Sequence, residues 1–407
     1  MESAWLRPLD GVRALAALAV VAFHTWRYGT RLPATGVGER VLDAVASRLW
    51  LGLTMFFVLS GFLLFRPWAE YALGRRDTAP HLGRYARARV LRIVPGYWFA
   101  LAAVVVLMQR EHLQALLVCA PVIAYGVIAP RSRRVGAAAA AIALIPCVWS
   151  LATHGLELGR FLPSLAFAQI YSGHWGVIGP AWTLDVEVTF YLSLPVIGAF
   201  VAWNARRYAS GTALVVAIVS LAPIFVVAPV FRSLAAEAHG WRLALPSSID
   251  QFGAGMVIAL LVAAWPSLIT SNDALRSRAM LLLGATIIAL DAALVGAPTR
   301  PLTSTWFDGI AGVGLAIVVL GIVGGGATTE RLLGRGPLAW VGVVSYGVYL
   351  WHEPILHAVH GYVPYVTGRN YVVALAGITG LALCGALAQW FLAEGPALQR
   401  RRRMART

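Results

Sequence analysis

Apolar stretches of about 20 residues recur along the chain and are separated by short polar connections. A helix of that length crosses the hydrocarbon core of a bilayer. Twelve such stretches can be placed, and ten is the alternative count. The weakest pattern is that of the pair at residues 113–130 and 135–153, which prolines interrupt, and of residues 279–297, which carry Asp291. The other stretches are residues 9–27, 48–65, 93–109, 177–201, 211–231, 247–266, 309–327, 338–357 and 371–392. The pattern predicts an all-α fold, a polytopic integral membrane bundle of about 10–12 transmembrane helices.

Composition excludes the soluble and disordered classes. The chain is 59% hydrophobic and 13% charged, against about 45–50% and about 25% in ordinary soluble proteins. The three cysteines, Cys119, Cys147 and Cys384, lie singly in apolar runs. That spacing fits neither a disulfide framework nor a zinc site, so we predict no metal.

The net charge of +15 comes from 33 basic residues, all of them arginine, against 18 acidic ones. With a cytoplasmic N-terminus, 22 arginines fall on inner segments and 10 on outer ones, with Arg13 inside the first helix. This positive-inside bias explains the charge without a nucleic-acid partner and predicts that both termini are cytoplasmic. Residues 1–398 would form the membrane domain and residues 399–407 a basic cytoplasmic tail. Arginine without lysine is typical of a GC-rich bacterial genome, so we expect the bacterial inner (plasma) membrane.

The first apolar stretch carries ionisable residues, which are costly in a membrane and mark functional sites by default. Eleven positions at about 100° each place Arg13 and His24 within about 20° of one direction and about 16 Å apart along the axis. Asp10 precedes Arg13 by three residues and can pair with it. The alternative interpretation is an interfacial anchor beside a structural histidine.

Residues 84–98 bring four arginines directly into a membrane helix and end in aromatics that include Tyr97. Positive-inside anchoring with an aromatic belt is the simpler explanation. The functional alternative is a phosphate site, since the guanidinium groups of Arg89 and Arg92 match phosphate oxygens.

A third segment starts at Trp182 and carries Asp185 and Glu187 at an otherwise apolar helix start. Glu187 shares a face with Tyr191 at i+4 and is expected to point into the bundle. A structural and a catalytic role are both open for this carboxylate.

A fourth segment, residues 345–354, places Ser345, Tyr349 and His352 on one helical stripe. An interfacial aromatic belt explains its tyrosines and tryptophan. The histidine followed by Glu353 is less expected there and indicates a site.

In their order and spacing these segments resemble the acyltransferase 3 family of bacterial membrane O-acyltransferases. The resemblance covers residues 9 to about 396, and its motifs are specific only in combination. They are LDGVR at 9–13 with His24, FFVLSGF at 56–62, RVLRIVP at 89–95, WTL at 182–184 with Glu187 and Tyr191, SYGVYLWH at 345–352 and EGP at 394–396. The family usually has a serine and a second glutamate where this chain has Asp185 and Val188, which leaves Glu187 as the matched acid.

The resemblance implies transfer of an acyl group, often acetyl, from cytoplasmic acyl-CoA to a hydroxyl of an envelope glycolipid, polysaccharide or secreted metabolite. Acyl-CoA would be a donor substrate, with no permanently bound cofactor, and the partners would be a hydroxyl-bearing sugar acceptor and the bilayer. A histidine has an ordinary pKa of about 6.5 and suits the base that this chemistry needs. The predicted catalytic residues are His24 as base or acyl relay, Arg13 and Glu187. The predicted substrate-binding residues are Asp10, Arg89, Arg92, Tyr97, Trp182, Tyr191, Ser345, Tyr349 and His352.

The competing hypothesis is a non-enzymatic carrier or flippase for an envelope precursor. Intramembrane arginine, histidine and glutamate would serve such a path equally well. The ordered motifs favour the enzyme, and the sequence shows no internal repeat of the kind common in transporters.

Overall fold

The computed structural model of the protein describes residues 6–29, 36–108, 158–173, 176–235, 240–270, 273–295, 308–360 and 368–398. Within these ranges every regular element is helical. The elements are α1 (Pro8–Tyr28), α2 (Val37–Ala46), α3 (Leu51–Ala72), α4 (Leu82–Met108), α5 (Leu158–Leu165), α6 (Trp182–Ala205), α7 (Ser210–Leu234), α8 (Ile249–Ala264), α9 (Ser267–Thr270), α10 (Ala274–Val295), α11 (Asp308–Gly324), α12 (Gly326–Leu333), α13 (Gly336–His360) and α14 (Gly368–Gln389). A π-helical turn, Trp390–Glu394, continues α14.

The predicted polytopic helical bundle is confirmed, and ten of the twelve predicted spans coincide with these helices. The predicted pair at residues 113–130 and 135–153, with Cys119 and Cys147, and the predicted tail at residues 399–407 lie outside the described residues. In the described part, six helices are long and apolar enough to cross a membrane, or seven if the bent pair α11 and α12 is one span. The number of crossings and the cytoplasmic placement of the termini stay predictions.

The outward face of α6 shows why this bundle belongs in lipid. Leu192, Val196 and Phe200 lie one turn apart and are exposed, Leu192 to 74%. Leu194 and Gly198 on the opposite face are buried. A contiguous apolar stripe of this kind is unfavourable in water but ordinary against lipid chains.

Close backbone contact fixes α1 against α13. Gly342 of α13 lies so close to the backbone carbonyl of Asp10 that a Cβ atom there would overlap it, and Gly11 stands in the same relation to Leu333. Small residues at helix contacts let backbones approach in this way in membrane proteins. The register that results sets the C-terminal half of α1 against the C-terminal half of α13.

A stack of phenylalanine rings joins α3, α6 and α8. The ring centroids of Phe57 and Phe252 lie 4.6 Å apart, and those of Phe190 and Phe252 lie 4.0 Å apart. All three side chains are fully or almost fully buried. This packing holds α3 beside α6, so that Ser60 and Glu187 come together on the neighbouring faces.

Candidate active site

Two histidines from helices distant in sequence meet inside the bundle. Nδ1 of His24 in α1 lies 3.0 Å from Nε2 of His352 in α13. Nδ1 of His352 lies 2.6 Å from the carbonyl oxygen of Tyr349, and Nδ1 of His24 also lies 3.1 Å from the carbonyl oxygen of Val20. His352 is fully buried.

These contacts assign the tautomers of both neutral rings. A carbonyl oxygen only accepts, so Nδ1 of His352 carries the proton and its Nε2 presents a lone pair. Nδ1 of His24 then donates to that lone pair, and Nε2 of His24 is unprotonated. The described residues provide no hydrogen-bond partner for this last nitrogen, and His24 lines a cavity.

A carboxylate lies beside the pair. Glu353 accepts a hydrogen bond from the hydroxyl of Tyr28 at 2.6 Å and contacts Nε2 of His357 at 3.3 Å. The ring of Tyr28 stacks on that of His24 with centroids 5.9 Å apart. The backbone at Gly179 packs against the carboxylate, where a Cβ atom would lie 2.7 Å from Oε2.

His24 lines a cavity of about 870 Å³, which we call the His24 cavity. Its described lining contains three guanidinium groups and one carboxylate, that of Glu353, together with two indole rings. The size and the mixture of aromatic walls with a few polar groups are those of a ligand site. The guanidinium groups are those of Arg27, Arg160 and Arg242, and the indole rings are those of Trp50 and Trp182.

A second cavity, of about 130 Å³, contains Arg13 and is called the Arg13 cavity. It too has three guanidinium groups and one carboxylate in its described lining. Nη1 of Arg13 pairs with Asp10 at 3.1 Å, as the sequence predicts. Ser60 donates a hydrogen bond of 2.8 Å to Glu187. The lining includes Arg13, Arg89, Arg92, Ser60, Glu187, Tyr191, Ser345, Tyr346 and Tyr349.

Leu53 and Tyr349 line both cavities, and we call these two residues the neck. The Tyr349 hydroxyl donates to the carbonyl of Pro180 at 3.1 Å and accepts from the Thr183 hydroxyl at 3.0 Å. The Tyr349 ring is thereby held between the space beside Arg13 and the space beside His24.

Glu394, in the π-helical turn after α14, holds Arg92 in the wall of the Arg13 cavity. Arg92 pairs with Glu394 at 3.3 Å, and Glu394 is 1% exposed. Gln389 donates to the same carboxylate at 2.7 Å, and Trp351 donates to Gln389 at 3.0 Å. The π-helical turn, a feature frequent at functional sites, places Glu394 where it contacts Arg92.

The structure distributes the predicted site residues over these two spaces. The Arg13 cavity collects Arg13, Arg89, Arg92, Glu187, Tyr191, Ser345 and Tyr349, whereas His24 and Trp182 line the His24 cavity. His352 stands behind His24 rather than in the described lining. Asp10 contacts Arg13 of the site. Tyr97 is 1% exposed in the core, where its hydroxyl donates to the carbonyl of Ser164.

Sequence reasoning does not select Tyr28, Ser60, Tyr346 or Glu394 as site residues. Ser60, Tyr346 and Glu394 lie inside the quoted motifs, so the motifs themselves carried a usable signal. Tyr28 looks like an ordinary interfacial aromatic in the sequence, and only the packing of distant helices shows that it belongs to the site.

A family model described as an acyltransferase domain, acyltransferase 3, matches residues 7–389. Over 366 residues the chain is 24% identical to a Bacillus subtilis (strain 168) protein named "Putative peptidoglycan O-acetyltransferase YrhL", which covers 86% of this chain and 48% of that protein. Over 213 residues it is 29% identical to "Protein 2 in picA locus" of Rhizobium radiobacter, covering 52% of this chain and 88% of that protein. The chain thus spans about half the length of the Bacillus relative. No solved structure gives a significant match.

Proposed function

The chain belongs to the acyltransferase 3 family, and from this premise we propose that it transfers an acyl group, acetyl in the first instance, from acyl-coenzyme A to a hydroxyl of a sugar-containing acceptor. One observation carries the proposal. His24 lines a cavity large enough for such an acceptor, and the contact of its Nδ1 with His352 at 3.0 Å leaves its Nε2 unprotonated.

In the proposed step, Nε2 of His24 takes the proton of the acceptor hydroxyl while the hydroxyl oxygen bonds to the thioester carbonyl carbon. The carbon–sulfur bond breaks, and the imidazolium returns the proton to the leaving thiolate, which departs as coenzyme A. His352 accepts a hydrogen bond from the opposite side of the ring and holds the required tautomer, the part that a carboxylate plays in a serine-protease triad.

The Arg13 cavity supports a role in donor binding. Coenzyme A carries phosphates at one end of a long arm and the thioester at the other. Three guanidinium groups suit the phosphate end, and the neck, Leu53 and Tyr349, lines both their cavity and the His24 cavity. Because Arg13 and His24 line different cavities, we assign Arg13 to the donor rather than to the charge that develops on the reacting carbonyl.

Glu187 lines the Arg13 cavity, to which we assign the donor. Its carboxylate accepts from Ser60 and shares a cavity with Arg89 and Arg92 rather than with His24. We propose that it positions these arginines, whose charges would otherwise repel one another in a small space.

The direction of transfer follows from the arginine distribution in the sequence. With the N-terminus in the cytoplasm, the Arg13 end of α1 receives the donor from the cytoplasm and the His24 end receives the acceptor from the other side. The protein would then act in a bacterial inner membrane on an envelope polysaccharide, a glycolipid or a secreted metabolite. The name of the Bacillus relative favours an envelope polysaccharide.

The direct test is coenzyme A release from acetyl-CoA by the purified full chain in detergent, with an envelope polysaccharide added as the acceptor of the acetyl group. We expect release by the wild type and none by His24→Ala, with His81→Ala as the matched control, since His81 is exposed and distant from both cavities. In parallel, envelope and secreted glycans of cells without the gene should lack one acetyl mass increment.

The carrier hypothesis predicts the opposite pair of results. No acyl-CoA would release coenzyme A, and an unmodified precursor would accumulate on the cytoplasmic side in cells that lack the gene. That outcome would favour the carrier hypothesis over the acyltransferase.

A further inference from the structure

We propose that a recess in the wall of the His24 cavity binds hydroxyl groups of the acceptor and that Arg242 at its edge binds an anionic group on the same molecule. The ligand class is a hydroxylated ring, such as a sugar, that bears a carboxylate or a phosphate. This inference rests on the proposed function in one respect, namely that the bound ring directs the hydroxyl to be acylated toward His24.

The recess is a small space of about 20 Å³ between α3, α6 and the turn that precedes α8. That volume accommodates one hydroxyl group or one water, not a ring. Four residues line both the recess and the His24 cavity, so the two spaces adjoin. These shared residues are Trp50, Leu53, Trp182 and Arg242.

Residues that line this recess carry unpartnered polar atoms. Six buried side-chain polar atoms in the described residues lack a hydrogen-bond partner, and three of them belong to recess residues, namely Trp50 Nε1, Thr54 Oγ1 and Ser247 Oγ. Thr54 is 0% and Ser247 5% exposed. Buried polar groups without partners are costly and call for an explanation. One N–H donor and two hydroxyls around a space of this size match a ligand hydroxyl, which both donates and accepts.

The walls next to the recess suit the rest of a ring. The indoles of Trp50 and Trp182 line both spaces and provide flat apolar surface beside the polar recess. Such aromatic walls with a few convergent polar groups are what small-molecule sites offer to an amphipathic ligand.

The charge of the cavity selects an anionic ligand. Its described lining holds Arg27, Arg160 and Arg242 against the single carboxylate of Glu353, which Tyr28 and His357 already engage. Arg242 is half-buried and has neither an ion pair nor a hydrogen bond within the described residues.

A neighbouring arginine shows the contrast. Arg232 also lines the recess, but both of its terminal nitrogens bond to Asp250, at 3.1 and 2.9 Å, and one donates to the Ser247 carbonyl. Arg232 therefore builds the wall, whereas the fork of Arg242 is available for a carboxylate or a phosphate.

The experiment measures binding without any acyl donor, by saturation-transfer NMR titration of the purified full chain. The probes are glucuronate, glucose 6-phosphate and glucose, which share a ring and differ in charge. We expect both anionic probes to bind at least about tenfold more tightly than glucose. Arg242→Gln should remove that preference, and Arg207→Gln, on a surface far from the cavity, should keep it.

The recess itself is tested by removing hydroxyls at nearly constant volume. Thr54→Val and Ser247→Ala should each weaken binding of all three probes about fivefold. Thr189→Val is the matched control, because the hydroxyl of Thr189 donates to the carbonyl of Asp185 in its own helix and lines neither space.

Equal binding of charged and neutral rings, or equal binding by Thr54→Val and Thr189→Val, would overturn the inference and leave the recess as a site for structural water. So would the absence of binding by any probe. If the anionic rings bind as expected but no acyl-CoA releases coenzyme A, the recess stands and the acyl-transfer proposal fails. If release depends on His24 but the binding pattern is absent, only the recess assignment fails.

Discussion

Nδ1 of His24 and Nε2 of His352 are 3.0 Å apart and join the first helix to the thirteenth. Because His352 donates its only proton to the carbonyl of Tyr349, at 2.6 Å, the proton between the rings belongs to His24. The contact therefore does more than tie two helices together. It leaves Nε2 of His24 without a proton, and in the proposed mechanism this nitrogen takes the proton of the acceptor.

Arg89 provides a test of donor binding. Its guanidinium lines the Arg13 cavity, and its Nε has no partner among the described residues. Arg89→Gln should raise the KM for acetyl-CoA about tenfold with little change in kcat, because a charge-assisted hydrogen bond to phosphate is lost. Arg84→Gln, an exposed position on the same helix, is the control in the steady-state assay. A fall in kcat at unchanged KM would place Arg89 in the chemical step instead.

Tyr349 provides a test of the neck. Tyr349→Ala should join the two cavities and raise the rate with a six-carbon acyl-CoA relative to acetyl-CoA by about tenfold, since a pocket that gains volume discriminates less between chain lengths. Tyr349→Phe keeps the ring and loses only the bonds to Pro180 and Thr183. It should retain the preference of the wild type for short chains. Identical chain-length profiles for the two variants would show that the ring does not separate donor from acceptor.

Gly342 provides a test of the packing that brings the histidines together. A methyl group there would overlap the Asp10 backbone, so Gly342→Ala should cost about 1–3 kcal/mol of stability and lower the melting temperature in detergent. Gly380→Ala is the matched control, since its Cβ would have no neighbour within 4 Å. Equal melting temperatures for the two variants would mean that α1 and α13 do not depend on this close approach.

The sequence alone predicts what helical geometry determines locally. The ion pair between Asp10 and Arg13, three residues apart, is present as predicted, because their separation on a helix leaves little choice. The shared face of Glu187 and Tyr191 is likewise confirmed by their common cavity. The helical spans follow from the length of apolar runs.

The other features of the site depend on long-range packing, which the sequence pattern does not predict. His24 and His352 are 328 residues apart in sequence, and only the backbone contact of α1 with α13 brings them together. For the same reason the sequence gives no means of separating Glu187 from His24 into different cavities. Glu394 lies beside Arg92, 302 residues away in sequence, and belongs to the π-helical turn.

The central claim is that His352 orients His24 as the base. It is tested most directly by coenzyme A release in the presence of a saturating acceptor, compared between His352→Leu and His352→Gln. Leucine removes the acceptor of the His24 proton and should lower kcat about a hundredfold or more, as loss of the tautomer-fixing partner does in a catalytic triad. Glutamine can offer its amide oxygen near the place of Nε2 and should recover much of that loss. Wild-type kcat in His352→Leu, with the variant folded, would contradict the account.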